Sequence, residues 1–122
     1  MHKAVMELIG TFFLVLVIGL TVIAPTAVGV MAPVAIGSML MVMVYAGGPI
    51  SGGHYNPAVT LAVWLRGKCK TRDVAPYLLA QILGAALASE LVGLLKQGSP
   101  VHVLTLQVVP ALLAELFFTF AL

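Results

Sequence analysis

The stretch "SGGHYNPAVT", residues 51–60, decides the fold, because it places glycine, histidine, asparagine and proline together in a chain that is otherwise apolar. The 122 residues are 61% hydrophobic and 8% charged, with a mean hydropathy of +1.15. A soluble domain carries about 25% charged residues. The composition therefore predicts an all-α integral membrane protein in a lipid bilayer. The single cysteine, Cys69, excludes an internal disulfide and cannot form a metal site alone.

The apolar stretches around residues 51–60 have the lengths of membrane helices, which need about 20 residues to cross a bilayer. Proline and glycine interrupt helices, so we predict a turn at Pro25, Gly29 and Pro33. Thr71 and Asp73 are residue types that cap helix N-termini. We predict three complete transmembrane helices and the start of a fourth span, over 4–24, 31–46, 74–95 and 108–122.

The basic residues predict the orientation, because lysine and arginine are retained on the cytoplasmic side. Only Lys96 falls on the opposite side from the other lysines and arginines, provided that residues 47–66 leave and return on one side. We therefore predict a cytoplasmic N-terminus, in the inner or plasma membrane of the cell. The residues on the cytoplasmic side are Lys3, Arg66, Lys68, Lys70 and Arg72.

Residues 47–66 are predicted to form a re-entrant loop followed by a half-helix. The segment 47–55 is rich in glycine and proline, so we expect no regular helix there. The segment 57–65 is apolar, and at about 1.5 Å per residue it would cross only half a bilayer. Asn56 is a good N-cap, and Pro57 is tolerated at the first helical position. Irregular backbone at membrane depth must be buried in protein or line a watery cavity.

Such a loop combines hydrogen-bond acceptors with donors along one path. The extended backbone of Gly52, Gly53, His54 and Tyr55 would offer carbonyl oxygens in a row. The half-helix N-terminus adds free N–H groups and positive dipole charge, and Asn56 adds an amide donor. This combination suits small neutral hydrogen-bonding molecules and repels cations.

The stretch resembles the first Asn-Pro-Ala loop of the aquaporin (major intrinsic protein) family, with Asn56, Pro57 and Ala58 as that motif. "MELIGTFFLVL" (6–16) and "YLLAQILGA" (77–85) are similar to the first and third helices of the family. The resemblance implies a right-handed helical bundle of two inverted repeats. It also implies passive conduction of water or small neutral solutes by a homotetramer, with no enzyme activity, cofactor, metal or nucleic-acid partner.

An internal repeat is visible in the sequence. Glu7 and Thr11 are four residues apart, as are Glu115 and Thr119, with phenylalanines beside both pairs. Three membrane crossings lie between the two copies, so the second copy enters inverted. In line with the family resemblance, we expect Glu7 and Glu115 to accept hydrogen bonds from the re-entrant loops rather than to relay protons. Gln81 is expected to bond the loop backbone.

The chain departs from the family pattern in two respects, which leaves alternatives open. Residues 1–122 contain one Asn-Pro-Ala motif and no filter arginine after a second one. Ile36 stands twenty residues before Asn56, where water-selective members carry an aromatic filter residue. The alternatives are a glycerol-type facilitator and a non-conducting fragment that requires the second repeat. An intramembrane enzyme is disfavoured, since Ser51 and His54 lack a third group.

Overall fold

A computed structural model describes residues 2–23, 28–96 and 107–121, with the backbone alone for 118–121. Three segments, His2–Val22, Gly29–Ser51 and Thr71–Leu95, are long and apolar enough to cross a membrane. The prediction of an all-α membrane protein is confirmed. The elements are α1 (His2–Val22), a 3-10 turn (Gly29–Met31), α2 (Ala32–Ser51), α3 (Pro57–Leu65), α4 (Thr71–Leu95) and α5 (Val108–Ala121).

Helices α1 and α4 lie side by side and run in the same direction. At their first turns, Lys3 Nζ lies 3.6 Å from the Asp73 carboxylate. At the opposite end, the Lys96 ammonium donates to backbone carbonyl oxygens at the C-terminal end of α1. Between these contacts, a Cβ atom on Gly84 would lie only 2.5 Å from the Leu8 carbonyl oxygen. A glycine therefore allows the two backbones to touch.

Five of the six lysines and arginines share one end of the bundle, which we call the basic end. It comprises the start of α1, the loop between α3 and α4, and the start of α4. Lys3 and Lys70 line one cavity there, and Ser51, at the end of α2, bonds to Glu7 near the start of α1. The chain between α2 and α4 thus leaves and returns at the same end, as a re-entrant segment requires.

Helix α2 continues further than the predicted span of 31–46. It runs through Pro49 to Ser51, so the expectation of irregular backbone from Gly47 is wrong. A proline removes one helical hydrogen bond, but its φ angle fits a helix. The helix ends instead at Gly52, whose φ of 98° lies in the left-handed region that glycine adopts without strain.

The start of α4 also differs from the prediction. The helix begins at Thr71, and its N-cap position is Lys70, with no side-chain capping bond. The Thr71 hydroxyl instead accepts a hydrogen bond of 3.0 Å from Trp64 Nε1, which ties α3 to α4. Asp73 lies in the first turn and pairs with Lys3. The two residues expected to cap the helix are therefore engaged with other elements.

The remaining boundaries lie close to the prediction. Helix α3 covers the predicted 57–65, and Pro33 lies in the first turn of α2, where proline is tolerated. Gly29 lies in the turn with a φ of 57°. Pro25 lies outside the described residues, as do residues 24, 97–106 and 122. In the described ranges, the backbone of α5 does not approach any of the other helices.

Candidate functional site

The backbone N–H groups of residues 52–55 are all bonded within the protein. The Gly52 N–H donates to the Gly48 carbonyl oxygen of α2 at 2.9 Å, and the Gly53 N–H donates to the Ser51 hydroxyl at 3.2 Å. Those of His54 and Tyr55 donate to the two carboxylate oxygens of Glu7 at 3.0 Å and 2.6 Å. Within the described ranges, no hydrogen bond reaches the carbonyl oxygens of these four residues. The loop binds through its donors and leaves its acceptors available.

Glu7 holds the loop from inside the bundle. Its side chain is 0% exposed, and it also accepts hydrogen bonds from the Ser51 hydroxyl at 2.6 Å and from Gln81 Nε2 at 2.8 Å. All of these partners can donate, so the carboxylate serves only as an acceptor. Hydrogen bonds to a charged group contribute about 1.5–3 kcal/mol each. These are the contacts to loop N–H groups that we expected of Glu7.

Gln81 extends this network. We had expected it to bond the loop backbone, but it bonds two side chains instead. Its amide, 1% exposed, donates to Glu7 and to the Thr60 hydroxyl at 2.9 Å. Thr60 Oγ1 in turn lies 3.2 Å from His54 Nδ1 and 3.1 Å from the Asn56 carbonyl oxygen. Gln81 therefore acts on the loop through two other side chains. Thr60 was missed in the sequence, although it is the only hydroxyl residue in α3.

Tyr55 anchors the loop at its far end. Its φ of 49° is in the left-handed region, where a bulky residue is uncommon. The side chain is 2% exposed, and its hydroxyl donates to the Met43 carbonyl oxygen at 2.7 Å. The ring lies against Gly10 and Gly47, where an added Cβ would come within 2.0 Å and 1.9 Å of the tyrosine. The two glycines form a slot that the sequence did not reveal.

Asn56 occupies the N-cap position of α3. Its Oδ1 accepts the Ala58 N–H at 2.7 Å, and this bond fixes the orientation of the amide. In the described residues, no partner is bonded to the Asn56 amide nitrogen, and Asn56 and Ala58 are exposed. Two amide N–H groups thus point away from the helix at its N-terminus, where the helix dipole is positive.

A cavity of about 380 Å³ connects the basic end with the loop. The His54 ring borders it and packs edge to face on Tyr77, with ring centroids 5.3 Å apart. Cys69 also lines it, and burial raises the pKa of this thiol, with the Asp73 charge adding to the shift. Loop residues Gly52 and Gly53 and lysines Lys3, Lys68 and Lys70 contribute to the same lining.

Two predicted residues are not brought to the loop. Ile36 lies on α2 two turns before Met43, which puts it on the same helix face, about 10 Å further from the basic end. Glu115 lies on the exposed part of α5, so its role remains a prediction. The described residues contain no group of three or more His, Cys, Asp or Glu that could hold a metal ion.

These features define a class of integral membrane proteins in which a loop that leaves and returns at one end of the helix bundle carries a nine-residue helix. The half-helix starts at an Asn-Pro cap, and a buried carboxylate fixes the loop. Residues 1–122 match the family model described as Major intrinsic protein. The chain belongs to the major intrinsic protein family.

Individual relatives agree with this assignment. The chain is 36% identical to "Aquaporin Z" of Photorhabdus laumondii over 80% of its length and 45% of that protein. It is 52% identical to "Aquaporin NIP1-1" of Zea mays over 52% of its length and 22% of that protein. It is 40% identical to "Glycerol uptake facilitator protein-like 6" of Lactiplantibacillus plantarum over 73% of its length and 41% of that protein. The chain thus spans less than half the length of each of these relatives.

Proposed function

We propose that this chain contributes the Asn-Pro-Ala half of a passive channel for water or small neutral solutes. The observation that carries the proposal is the loop at residues 52–56. Its backbone donors are bonded inside the protein, and neither its carbonyl oxygens nor the Asn56 amide nitrogen has a partner among the described residues. The names of the relatives, two aquaporins and a glycerol facilitator-like protein, support the same function.

The loop offers what a neutral solute needs when it leaves bulk water. Carbonyl oxygens accept hydrogen bonds from water or alcohol hydroxyls, and the Asn56 amide donates to their oxygen atoms. The positive N-terminus of α3 repels cations at the same point. These groups bind a passing molecule through hydrogen bonds and leave it chemically unchanged, so transport fits the site better than catalysis.

The orientation and assembly are part of the proposal. Five of the six lysines and arginines belong to the basic end, so this end faces the cytoplasm of a cell with the protein in its inner or plasma membrane. The cavity at the basic end is then the cytoplasmic mouth of the channel. The family resemblance supports a homotetramer in which each subunit has its own path.

A glycerol-type solute is the second candidate, and Ile36 favours it. This residue lies beyond the loop tip on the face of α2 that carries Met43, so it can border the same path. An aliphatic side chain leaves more room and less polarity than an aromatic ring. Ile36→Phe should lower glycerol flux more than water flux, whereas Val34→Phe, on the opposite face of α2, should change neither. Equal effects of both variants would remove Ile36 from the path.

The central test changes the amide of Asn56 and keeps the helix cap. In Asn56→Asp the carboxylate still caps α3, but the two N–H donors are lost and a negative charge is gained. We expect stopped-flow water permeability of the full chain, meaning residues 1–122 joined to the second half-channel that the proposal requires, to fall in liposomes, with thermal stability retained. Gln107→Glu makes the same chemical change at the start of α5 and should not alter permeability. Unchanged flux in Asn56→Asp would contradict the proposal.

The non-conducting alternative concerns residues 1–122 by themselves. The outer surface of α3 is exposed in this chain, at Pro57, Ala58 and Leu61 among others. A closed path requires a second wall on that side. Liposomes that contain residues 1–122 alone are therefore expected to show no water flux above the lipid background, and rapid flux would show that copies of this segment complete the path themselves.

A further inference from the structure

The lining of the cavity at the basic end carries an excess of positive charge. Lys3, Lys68 and Lys70 border it, against one carboxylate, that of Asp73. The cavity volume of about 380 Å³ lies within the range of about 300–1,000 Å³ that is typical of small-molecule sites. Walls of one charge sign focus the electrostatic field inside a cleft. The lining therefore favours a small anion.

The positive charge is not neutralised within the described part of the chain. Asp73 is shared between Lys3, at 3.6 Å, and Arg72, at 3.8 Å. The ammonium groups of Lys68 and Lys70 have no hydrogen-bond or ion-pair partner among the described residues. Two of the three lysines that border the cavity are thus available to a ligand.

We propose that the cavity binds a small phosphate-bearing anion from solution through Lys3, Lys68 and Lys70. Lysine binds phosphate as a mobile point charge and requires no fixed hydrogen-bond geometry. The binding step follows from the cavity alone. Its consequence rests on the proposed function: a bound anion lies between the solution and His54, so it obstructs the mouth of the channel.

A dissolved anion fits the cavity better than a lipid headgroup. The walls come from α1, the end of α2, the re-entrant loop, α3, the loop between α3 and α4, and the first turns of α4, and they include Val63 of α3 and Tyr77 of α4. A headgroup would have to enter between packed helices. The lysines and arginines at this end are all exposed, but Arg66 and Arg72 do not line the cavity, so we assign these two to a lipid surface.

The first experiment measures binding to the full chain in nanodiscs of phosphatidylcholine. Calorimetric titration with inorganic phosphate, against chloride at equal ionic strength, should give saturable binding. The double variant Lys68→Gln/Lys70→Gln should weaken it by about tenfold or more, as expected for lost contacts to a charged group. Arg66→Gln removes one positive charge from a residue that does not line the cavity, so it should change the affinity by less than about twofold. Absence of saturable binding, or equal losses in both variants, would overturn the site.

Cys69 provides an independent readout inside the same cavity. Phosphate should slow alkylation of Cys69 by iodoacetamide, measured by mass spectrometry of the peptide that contains it. The protection should disappear in Lys68→Gln/Lys70→Gln and persist in Arg66→Gln. Protection that survives loss of both lysines would contradict the assignment even if phosphate binds elsewhere.

Two further arms identify the source of the phosphate group and separate the site from the channel. Nanodiscs with phosphatidylglycerol should bind inorganic phosphate as tightly as those without it, and competition by this lipid would make a headgroup the ligand and overturn the proposal. Phosphate on the side of the basic end should reduce water flux in liposomes. Binding without reduced flux would overturn obstruction alone. Asn56→Asp, which tests the channel, should leave phosphate binding unchanged.

Discussion

Gly10→Ala is expected to disrupt the loop although Gly10 lies on α1, far from the loop in sequence. The added Cβ would lie 2.0 Å from Cε1 of Tyr55, whereas carbon atoms in contact are separated by about 3.5–4.0 Å. The ring cannot simply swing away. Tyr55 is held at its backbone by Glu7 and at its hydroxyl by Met43. The variant must therefore break an anchor or separate α1 from the loop.

The size of the effect follows from three contributions. Overpacking in a close-packed interior costs about 1–3 kcal/mol. Loss of the bond between Tyr55 and Met43 leaves a buried hydroxyl or carbonyl without a partner, at about 1–3 kcal/mol. Replacing a helical glycine by alanine stabilises the helix by about 1 kcal/mol, because alanine has the higher helix propensity. The net destabilisation by Gly10→Ala is therefore about 3 kcal/mol.

The matched control is Gly37→Ala on α2. No atom lies within 4 Å of the Cβ that would be added there, so this variant gains helix propensity at no steric cost. Thermal unfolding of the full chain in detergent should show a lower Tm for Gly10→Ala and an equal or higher Tm for Gly37→Ala. Combining Gly10→Ala with Tyr55→Ala should cost less than the sum of the two changes, because the clash is gone. Similar Tm values for the two glycine variants would refute the packing explanation.

The remaining predictions concern single hydrogen-bonding groups in the full chain. Glu7→Gln replaces one acceptor oxygen by an NH₂ group that faces donors. Hydrogen–deuterium exchange at the backbone of residues 53–55 should therefore become faster, and unchanged exchange would exclude the anchoring role of Glu7. Thr11 has a buried hydroxyl with no partner among the described residues, so the isosteric Thr11→Val should raise the Tm; a lower Tm would reveal an unseen partner, such as a buried water. Trp64→Phe loses the hydrogen bond to Thr71 at an exposed site, so the free energy of unfolding should fall by about 1 kcal/mol or less, with a small decrease in Tm. A larger decrease would mean that the indole ring supports α3 by packing.

The half-helix was the part of the site that the sequence predicted best, because its signals are local. Asn56 caps the helix, Pro57 starts it, and the apolar run to Leu65 sets its length. Glu7 was identified in a different way, through the internal repeat that it forms with Thr11, and its role as an acceptor for the loop was expected from the family resemblance. Only the half-helix has its physical requirements visible in a few neighbouring residues.

The parts that the sequence did not predict depend on contacts between distant residues. Gly47 was interpreted as a helix breaker, but it lies within α2 and makes room for Tyr55. A glycine that breaks a helix and one that admits a neighbour look alike until the packing partner is known. Thr71 likewise matches a capping residue in type, but its hydroxyl is taken by Trp64. Local patterns indicate what a residue can do, and tertiary contacts select among the options.

The position of Glu7 has a consequence for how the chain enters the membrane. The carboxylate belongs to the first span to be synthesised, whereas its donors follow in the order Ser51, His54, Tyr55 and Gln81. A carboxyl group without donors is costly within a membrane span. The first helix can therefore settle fully only after the re-entrant loop and α4 have left the ribosome. Biogenesis of this protein thus depends on a late helix completing an early one, and not on the successive release of independently stable spans.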